Sequence, residues 1–224
     1  PDYLHFDLDP VPGAAFEQVL ETALRVREAL EARGIPSYPK TTGSRGIHIY
    51  VPIRRGPVQK QVWTFAKQLA LELAAQFPAL ITAEYRIAKR PAGRVLVDYN
   101  QNAWGRTLAS VYSVRPKPGA TVSTPVTWQE IEHGFRMEDF RIDNVPERVG
   151  KLGDLWRPLL AERGRVDGRG RLRLLGHKVR PAVERLERGQ ARAQGVELLV
   201  VGDHGMGDVG DDHPRDDAAA ERDV

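Results

Sequence analysis

The alternation of two hydrophobic periods along the first hundred or so residues limits this chain to a small set of folds. Residues 3–8 alternate between apolar and polar and predict a strand. Over residues 14–33, Phe16, Val19, Leu20, Ala23, Val26 and Leu30 recur at helical spacing, and Gly34 supplies a stop. Residues 35–38 predict a short strand, and a Gly-rich turn and a β-rich run at 47–51 follow. Pro57 opens a second helix with Val58, Val62, Phe65, Leu69 and Leu73 on one face, ending near Pro78. Residues 94–98 predict a strand, and residues 109–114 another. The order is βαββαβ, the split βαβ or ferredoxin-like arrangement: an α+β fold whose antiparallel sheet carries two helices on one face and leaves the other free for a ligand. The same sheet also serves as a purely structural element in many unrelated proteins.

Composition separates the rest of the chain from this part. With 224 residues, the sequence has room for one full domain, or one domain and a tail. Thr127-Trp128-Gln129-Glu130 matches a capping box and predicts a short helix. Residues 163–192 then carry ten Lys/Arg against three acids, and residues 203–224 eight acids against two Arg. We therefore expect a folded core over 1–162 and a charged, flexible tail over 163–224, with 196–201 as one added strand or short buried piece. The chain has no cysteine, which excludes disulfides and thiolate metal sites, and no apolar run long enough to span a membrane. These features read as a soluble intracellular protein. The net charge of +3 permits a nucleic-acid partner without requiring one.

Three groups of residues stand out for their chemistry. Asp7 and Asp9 lie at i and i+2 on a strand, so both carboxylates face the same side of the sheet, with Phe6 and Leu8 facing the helices. Such a pair is either solvated or bridged by a cation, and oxygen ligands favour Mg²⁺ or Mn²⁺. Pro10 ends the strand just past the second acid. Asp98 closes an apolar run, and in the ferredoxin-like order its strand neighbours the first, which brings a third carboxylate near the pair. Lys40-Thr41-Thr42-Gly43-Ser44-Arg45-Gly46-Ile47-His48 reads either as an ordinary hairpin turn or as a cradle for phosphates. Its glycines allow close backbone approach, and its hydroxyls and Arg45 donate hydrogen bonds. His48 reads equally as a structural histidine or a phosphate contact. Arg86, Lys89, Arg90 and Arg94 form either a solvated basic loop or a triphosphate contact, and Arg115, at the end of the last predicted strand, can reach the same face. Three acids beside a phosphate cradle are the minimum equipment for metal-assisted nucleotidyl transfer.

The strings Phe-Asp-Leu-Asp-Pro, Lys-Thr-Thr-Gly-Ser-Arg-Gly-Ile-His and Val-Asp-Tyr-Asn-Gln-Asn, followed by Tyr112-Ser113-Val114-Arg115, resemble the polymerase domain of bacterial ligase D over about residues 1–160. That domain belongs to the archaeo-eukaryotic primase superfamily. The resemblance implies a primase-type core with an RRM-like catalytic half. It also implies metal-dependent transfer of nucleotides, often ribonucleotides, to DNA ends in double-strand break repair, with Mn²⁺ favoured over Mg²⁺. The implied partners are DNA ends, nucleoside triphosphates, Ku and a DNA ligase, in the bacterial cytoplasm at the nucleoid, with no membrane. By the same resemblance Asp7, Asp9 and Asp98 are catalytic metal ligands. Thr42, Arg45 and His48 fall on positions contacting the incoming triphosphate, and Arg90, Gln101 and Arg115 on further positions of the nucleotide pocket. Thr42 stands where many relatives carry Ser, which keeps the hydroxyl.

The chain starts without an initiator Met, and the resemblance implies a further segment before the Asp-x-Asp strand that this sequence is expected to lack. The expectation is an N-terminally truncated core, so a catalytically impaired nucleotide- or nucleic-acid-binding remnant is the alternative reading. A fainter alternative is a haloacid-dehalogenase-like phosphatase, suggested by Asp7-Leu8-Asp9 together with residues 198–203 and Asp208, although that family places Thr or Val where this chain has Pro10.

Overall fold

A computed structural model describes residues 1–53 and 56–161. The strand β1 (Tyr3–Pro10) is followed by helix α1 (Phe16–Glu31), then β2 (Tyr38–Thr41), β3 (Ile47–Pro52), helix α2 (Gln59–Gln76), β4 (Ile81–Thr82) and β5 (Val95–Asp98). Three short helices follow: α3 (Trp128–His133), α4 (Val145–Leu152) and α5 (Arg157–Ala161). The sheet order is β2-β3-β1-β5-β4. β1 runs antiparallel to both neighbours, and β2 antiparallel to β3, as the βαββαβ order predicts. The outermost strand, β4, pairs parallel with β5 and makes the sheet mixed. It is two residues long, too short to leave a periodic signal in the sequence.

Register sorts the side chains of the sheet. Leu4, Phe6 and Leu8 stand opposite Val51, Ile49 and Ile47, and Leu8 also stands opposite Val97. All of these are buried, and they pack with Val19, Ala23, Val26 and Leu30 of α1 and Val62, Ala66, Leu69 and Leu73 of α2. This face is the hydrophobic core, and its burial is the main favourable term in folding. Alternation forces the intervening residues, His5, Asp7 and Asp9, onto the opposite face.

That opposite face is only partly free. Trp156, just before α5, packs edge-on against Tyr50 at 4.9 Å between ring centroids, and His5 stacks on the same Tyr50 at 5.4 Å. Leu159 of α5 is fully buried. One end of the face is therefore covered by the chain itself, and the end that carries the acids remains open.

Two sequence expectations need correction. The second strand lies at Tyr38–Thr41, not 35–38. The Ile35 N–H is still bonded to the Leu30 carbonyl at the end of α1, and ladder pairing starts at Tyr38 opposite Tyr50. Residues 109–114 form no strand. Tyr112 has a φ of 60° and Ser113 N–H turns back to the Ser110 carbonyl, so the segment bends. Its pairing with the sheet region reduces to an isolated bridge between Val114 and Val122. The capping box is formed as expected: Glu130 N–H donates to Thr127 Oγ1 while the Glu130 carboxylate accepts from Thr127 N–H at 2.7 Å. The predicted tail at 163–224, with its strand at 196–201, lies outside the described residues.

Candidate active site

One row of the sheet carries the chemistry. Lys40 of β2 pairs with His48 of β3, His48 with Asp7 of β1, and Asp7 with Asp98 of β5. Four ionisable side chains thus stand side by side across four strands, on the face away from the helices. Asp9, two residues along β1, projects from the same face. Opposed residues in neighbouring strands sit about 5 Å apart, so like charges placed there repel unless a counter-charge joins them. Burial and the Asp98 charge push the Asp7 carboxyl up to about 7. Burial and Asp7 push Asp9 up to about 6.

Asp7 and Asp9 line a cleft of about 480 Å³ together with Thr42, Arg45, His48, Gln101 and Arg115. Thr107, Leu108 and Ala109 form another part of its wall. Asp98, the third expected metal ligand, stands opposite Asp7 in the sheet but does not line the cleft; two local contacts hold it, its Oδ1 accepting from Asn100 N–H at 2.7 Å and its Oδ2 from the Gln101 side-chain amide at 3.2 Å. The turn Asn100–Asn102 that makes these contacts is itself anchored. The buried Asn102 amide donates to the His5 and Tyr99 carbonyls and accepts from the His5 N–H.

The 42–48 turn reaches the cleft because two glycines allow it to. A Cβ on Gly46 would lie 2.1 Å from the Leu8 carbonyl oxygen and 3.3 Å from Asp9 Oδ1. At Gly43, where φ is 65°, a Cβ would lie 2.7 Å from Cγ of Arg115. Only glycine permits this approach of the turn to β1 and to Arg115. Thr42 stitches the turn together: its Oγ1 accepts from the N–H groups of both Ser44 and Gly46 at 3.1 Å. Those two N–H groups are therefore committed to the turn, and Thr42 has its hydroxyl proton left to offer a ligand.

His48 Nε2 lies 3.3 Å from Asp7 Oδ1 without a hydrogen bond between them. Burial, and then the Lys40 charge, lowers the His48 imidazole to about 3, so at neutral pH the ring is uncharged and the pair is not an ion pair. His48 Nδ1 and the Arg115 Nε are likewise buried without partners. Buried polar atoms of this kind are costly to leave unmatched, and their clustering beside a cleft suits a ligand that completes them.

Not every expected residue joins the cleft. The Arg90 guanidinium is bent back onto its own loop, donating to the carbonyls of Glu84 at 3.1 Å and Tyr85 at 3.0 Å, and it does not line the cavity. Arg115 does line it, but from a turn closed by its N–H to the Thr121 carbonyl, not from the end of a strand.

Lys40 went unrecognised as a separate element of the site. It is completely buried, and its Nζ donates to the Ala109 carbonyl at 2.9 Å and to Ser123 Oγ. Burial lowers its ammonium to about 7. Lys40 thereby ties the cleft wall at 107–109 and the buried segment 121–125 to the sheet. That segment runs beside β2: Thr41 N–H donates to the Thr124 carbonyl, and Thr124 N–H to Thr41 Oγ1. The signal that marks Lys40 is its period. It shares strand parity with His48 and Asp7 once the turn is taken as a hairpin.

The donor set fits a hard divalent cation. It consists of carboxylates on one face, with a buried Asp7 oxygen that lacks a hydrogen-bond partner and two carboxyl groups whose charge is disfavoured by their surroundings. Among the described residues no three His, Asp or Glu side chains already close into a metal cage. The cation itself would have to draw these groups together.

A family model for the LigD primase-polymerase domain matches residues 1–156. This chain belongs to that family. The multifunctional non-homologous end joining protein LigD of Mycolicibacterium smegmatis is 36% identical over 157 residues, which cover 70% of this chain and 20% of that protein. The bifunctional LigD of Bacillus subtilis is 32% identical over 154 residues, covering 68% of this chain and 25% of that protein. The chain thus spans about a fifth to a quarter of the length of these relatives. Among solved structures, the polymerase domain of Mycobacterium tuberculosis ligase D in complex with DNA superposes with a TM-score of 0.67 at 36% identity, covering 72% of this chain and 56% of that one. Membership in the LigD family displaces the phosphatase reading, whose second motif at 198–208 lies outside the described residues. Among the described residues, no helix is long and apolar enough to cross a membrane.

Proposed function

We propose that this chain carries the nucleotidyl-transfer centre of a LigD-type polymerase, extending DNA 3′ ends with nucleotides during end joining. One observation carries the reading. His48, Asp7 and Asp9, in and beside a sheet row that also holds Lys40 and Asp98, line a cleft whose other walls bring Arg45 and Arg115. Anionic and cationic walls facing one cavity suit a metal–triphosphate complex, in which each wall meets its opposite charge.

Asp7, Asp9 and Asp98 would hold Mn²⁺ or Mg²⁺, which when bound supplies Lewis acidity at the phosphate oxygens and favours an ionised 3′-hydroxyl. Arg45 and Arg115 would bind the triphosphate oxygens, and a guanidinium can do so bidentately. Thr42 keeps the turn closed and offers its hydroxyl proton to a phosphate oxygen. His48, neutral, holds its ring between Asp7 and the turn and can donate one N–H to the ligand. Gln101 and the Asn100 N–H hold the Asp98 carboxylate in one orientation. No side chain need become covalently modified, so the reaction is in-line displacement at the α-phosphate with pyrophosphate leaving.

The chain spans about a fifth of its LigD relatives, so the partners proposed for it, a DNA ligase and Ku, act through the longer protein or in trans. The test is nucleotide binding with and without Mn²⁺, followed by primer extension. Mn²⁺-dependent binding that Asp7→Ala abolishes supports the reading. Binding of nucleotide with no extension under any condition would favour the impaired-remnant alternative. Indifference of nucleotide affinity to Mn²⁺ would overturn the site.

A further inference from the structure

Three large apolar side chains stand in the open close to the cleft. Trp104 is 91% exposed, Ile87 79% and Tyr85 52%. Single exposed hydrophobic residues are ordinary, but these three fall on two adjoining segments. The adjacency is set by Arg106, whose guanidinium donates to the Tyr85 hydroxyl at 3.3 Å. The first segment is tied in place: the turn Ile87–Lys89 is held by the Arg90 guanidinium on the Glu84 and Tyr85 carbonyls, and Glu84 Oε1 accepts from the Arg86 N–H. The second segment leaves the cleft and returns to it, because Gln101 and Thr107, which bracket Trp104, both line the cavity.

The charge around these side chains is mostly positive. Arg86, Lys89, Arg90 and Arg106 lie on the same two segments, and Glu84 is the acid among them. Arg86, Lys89 and Arg106 are exposed. A protein partner with an ordinary surface would leave most of these cations uncompensated. A flexible polyanion with flat apolar groups at regular intervals would match both components: its phosphates meet the cations and its bases meet the indole, phenol and isoleucine surfaces.

We propose that Tyr85, Ile87 and Trp104, with Arg86, Lys89 and Arg106, form a stacking platform for unpaired bases of a single nucleic-acid strand at the mouth of the cleft. It deepens the polymerase reading by naming where an unpaired strand lies, and it rests on that reading only for the strand's use. Base-on-aromatic stacking is indifferent to sequence because every base offers a π-face, so the platform would accept any unpaired end.

The experiment is fluorescence anisotropy of a labelled oligothymidylate with the full chain, repeated at several salt concentrations. The parent binds, and its tryptophan emission is quenched on binding. Trp104→Ala weakens binding by roughly tenfold and removes most of the quench, while the slope of affinity against salt is unchanged. Arg86→Ala/Lys89→Ala lowers that slope and retains the quench. Because Trp104 is almost fully exposed, its replacement leaves thermal stability and Mn²⁺–nucleotide binding unaltered. Asp7→Ala binds the oligonucleotide like the parent, so failure of the catalytic reading and failure of this one are separable. Undiminished affinity in Trp104→Ala, or no binding by the parent, overturns the platform. A change in sedimentation between parent and Trp104→Ala with unchanged oligonucleotide affinity would also overturn it, and would assign the patch to protein association.

Discussion

Gly46→Ala should damage fold and site together, and its size can be worked from contacts. The added Cβ would lie 2.1 Å from the Leu8 carbonyl oxygen, a β1 backbone atom that cannot rotate away. Ordinary contact needs roughly 1 Å more, so the turn must lift from β1. Lifting it strains or breaks two bonds that close the turn, Thr42 N–H to the Gly46 carbonyl at 3.0 Å and Gly46 N–H to Thr42 Oγ1 at 3.1 Å. Two hydrogen bonds at about 1 kcal/mol each, plus about 1–3 kcal/mol for overpacking, give a loss of roughly 3–5 kcal/mol. For a body of this size that lowers Tm by about 6–20 °C. The same lift separates Arg45 and His48 from Asp9, so Mn²⁺-dependent nucleotide affinity should fall as well. Thermal unfolding by circular dichroism, paired with nucleotide titration, measures both. Gly150→Ala is the control: it lies in α4 with nothing within 4 Å of the added Cβ, and it should stabilise by up to about 1 kcal/mol. A Tm within about 2 °C of the parent for Gly46→Ala, with unaltered nucleotide affinity, would refute the close-approach argument.

Arg45→Ala should weaken Mn²⁺–nucleotide binding by about 1.5–3 kcal/mol, the range for a charge-assisted hydrogen bond, with unchanged Tm; equal affinity in titration calorimetry would remove Arg45 from the cradle. The metal-free protein should also show a pH signature at Asp7. Its carboxyl is raised from 3.8 to about 7, so between those values the folded state keeps a proton that the unfolded chain has released, and the contribution of Asp7 to stability falls as pH rises through that window. His5 and His48, lowered to about 4 and about 3, act in the opposite direction and mask the trend in the parent. The measurement is therefore the difference: Asp7→Asn should gain stability relative to the parent from pH 4 to pH 8 in urea unfolding, and a flat difference would show that Asp7 is not charge-frustrated. Glu130→Ala removes the acceptor for Thr127 N–H and for both terminal nitrogens of Arg148, at 2.5 and 2.7 Å. It should cost about 2 kcal/mol in urea unfolding without altering nucleotide affinity, and loss of that affinity would show that α3 couples to the cleft.

Local spacing along the chain determined much of this protein. A period of two in β1 put Asp7 and Asp9 on the face opposite Phe6 and Leu8, and helical periods in α1 and α2 marked the covered face, because each of these is a property of consecutive residues. The βαββαβ order also placed the strand of Asp98 beside β1, since right-handed crossovers leave few other positions for it. What only the tertiary structure decided depends on residues distant in the chain. The pairing of Asp7 with both His48 and Asp98 is a matter of register, which one residue of slip would invert. Residues 109–114 suggested a strand, but Tyr112 leaves extended geometry with a φ of 60° and Ser113 N–H turns back to the Ser110 carbonyl. Lys40 looked like one more charge in a basic string. Its role as a buried tie exists only because Ala109 and Ser123, 69 and 83 residues further on, bring their oxygens to its Nζ. A sequence records which groups are available and at what period. Which distant carbonyl satisfies a buried ammonium is settled by packing, where every buried donor must find whichever acceptor the fold brings to it.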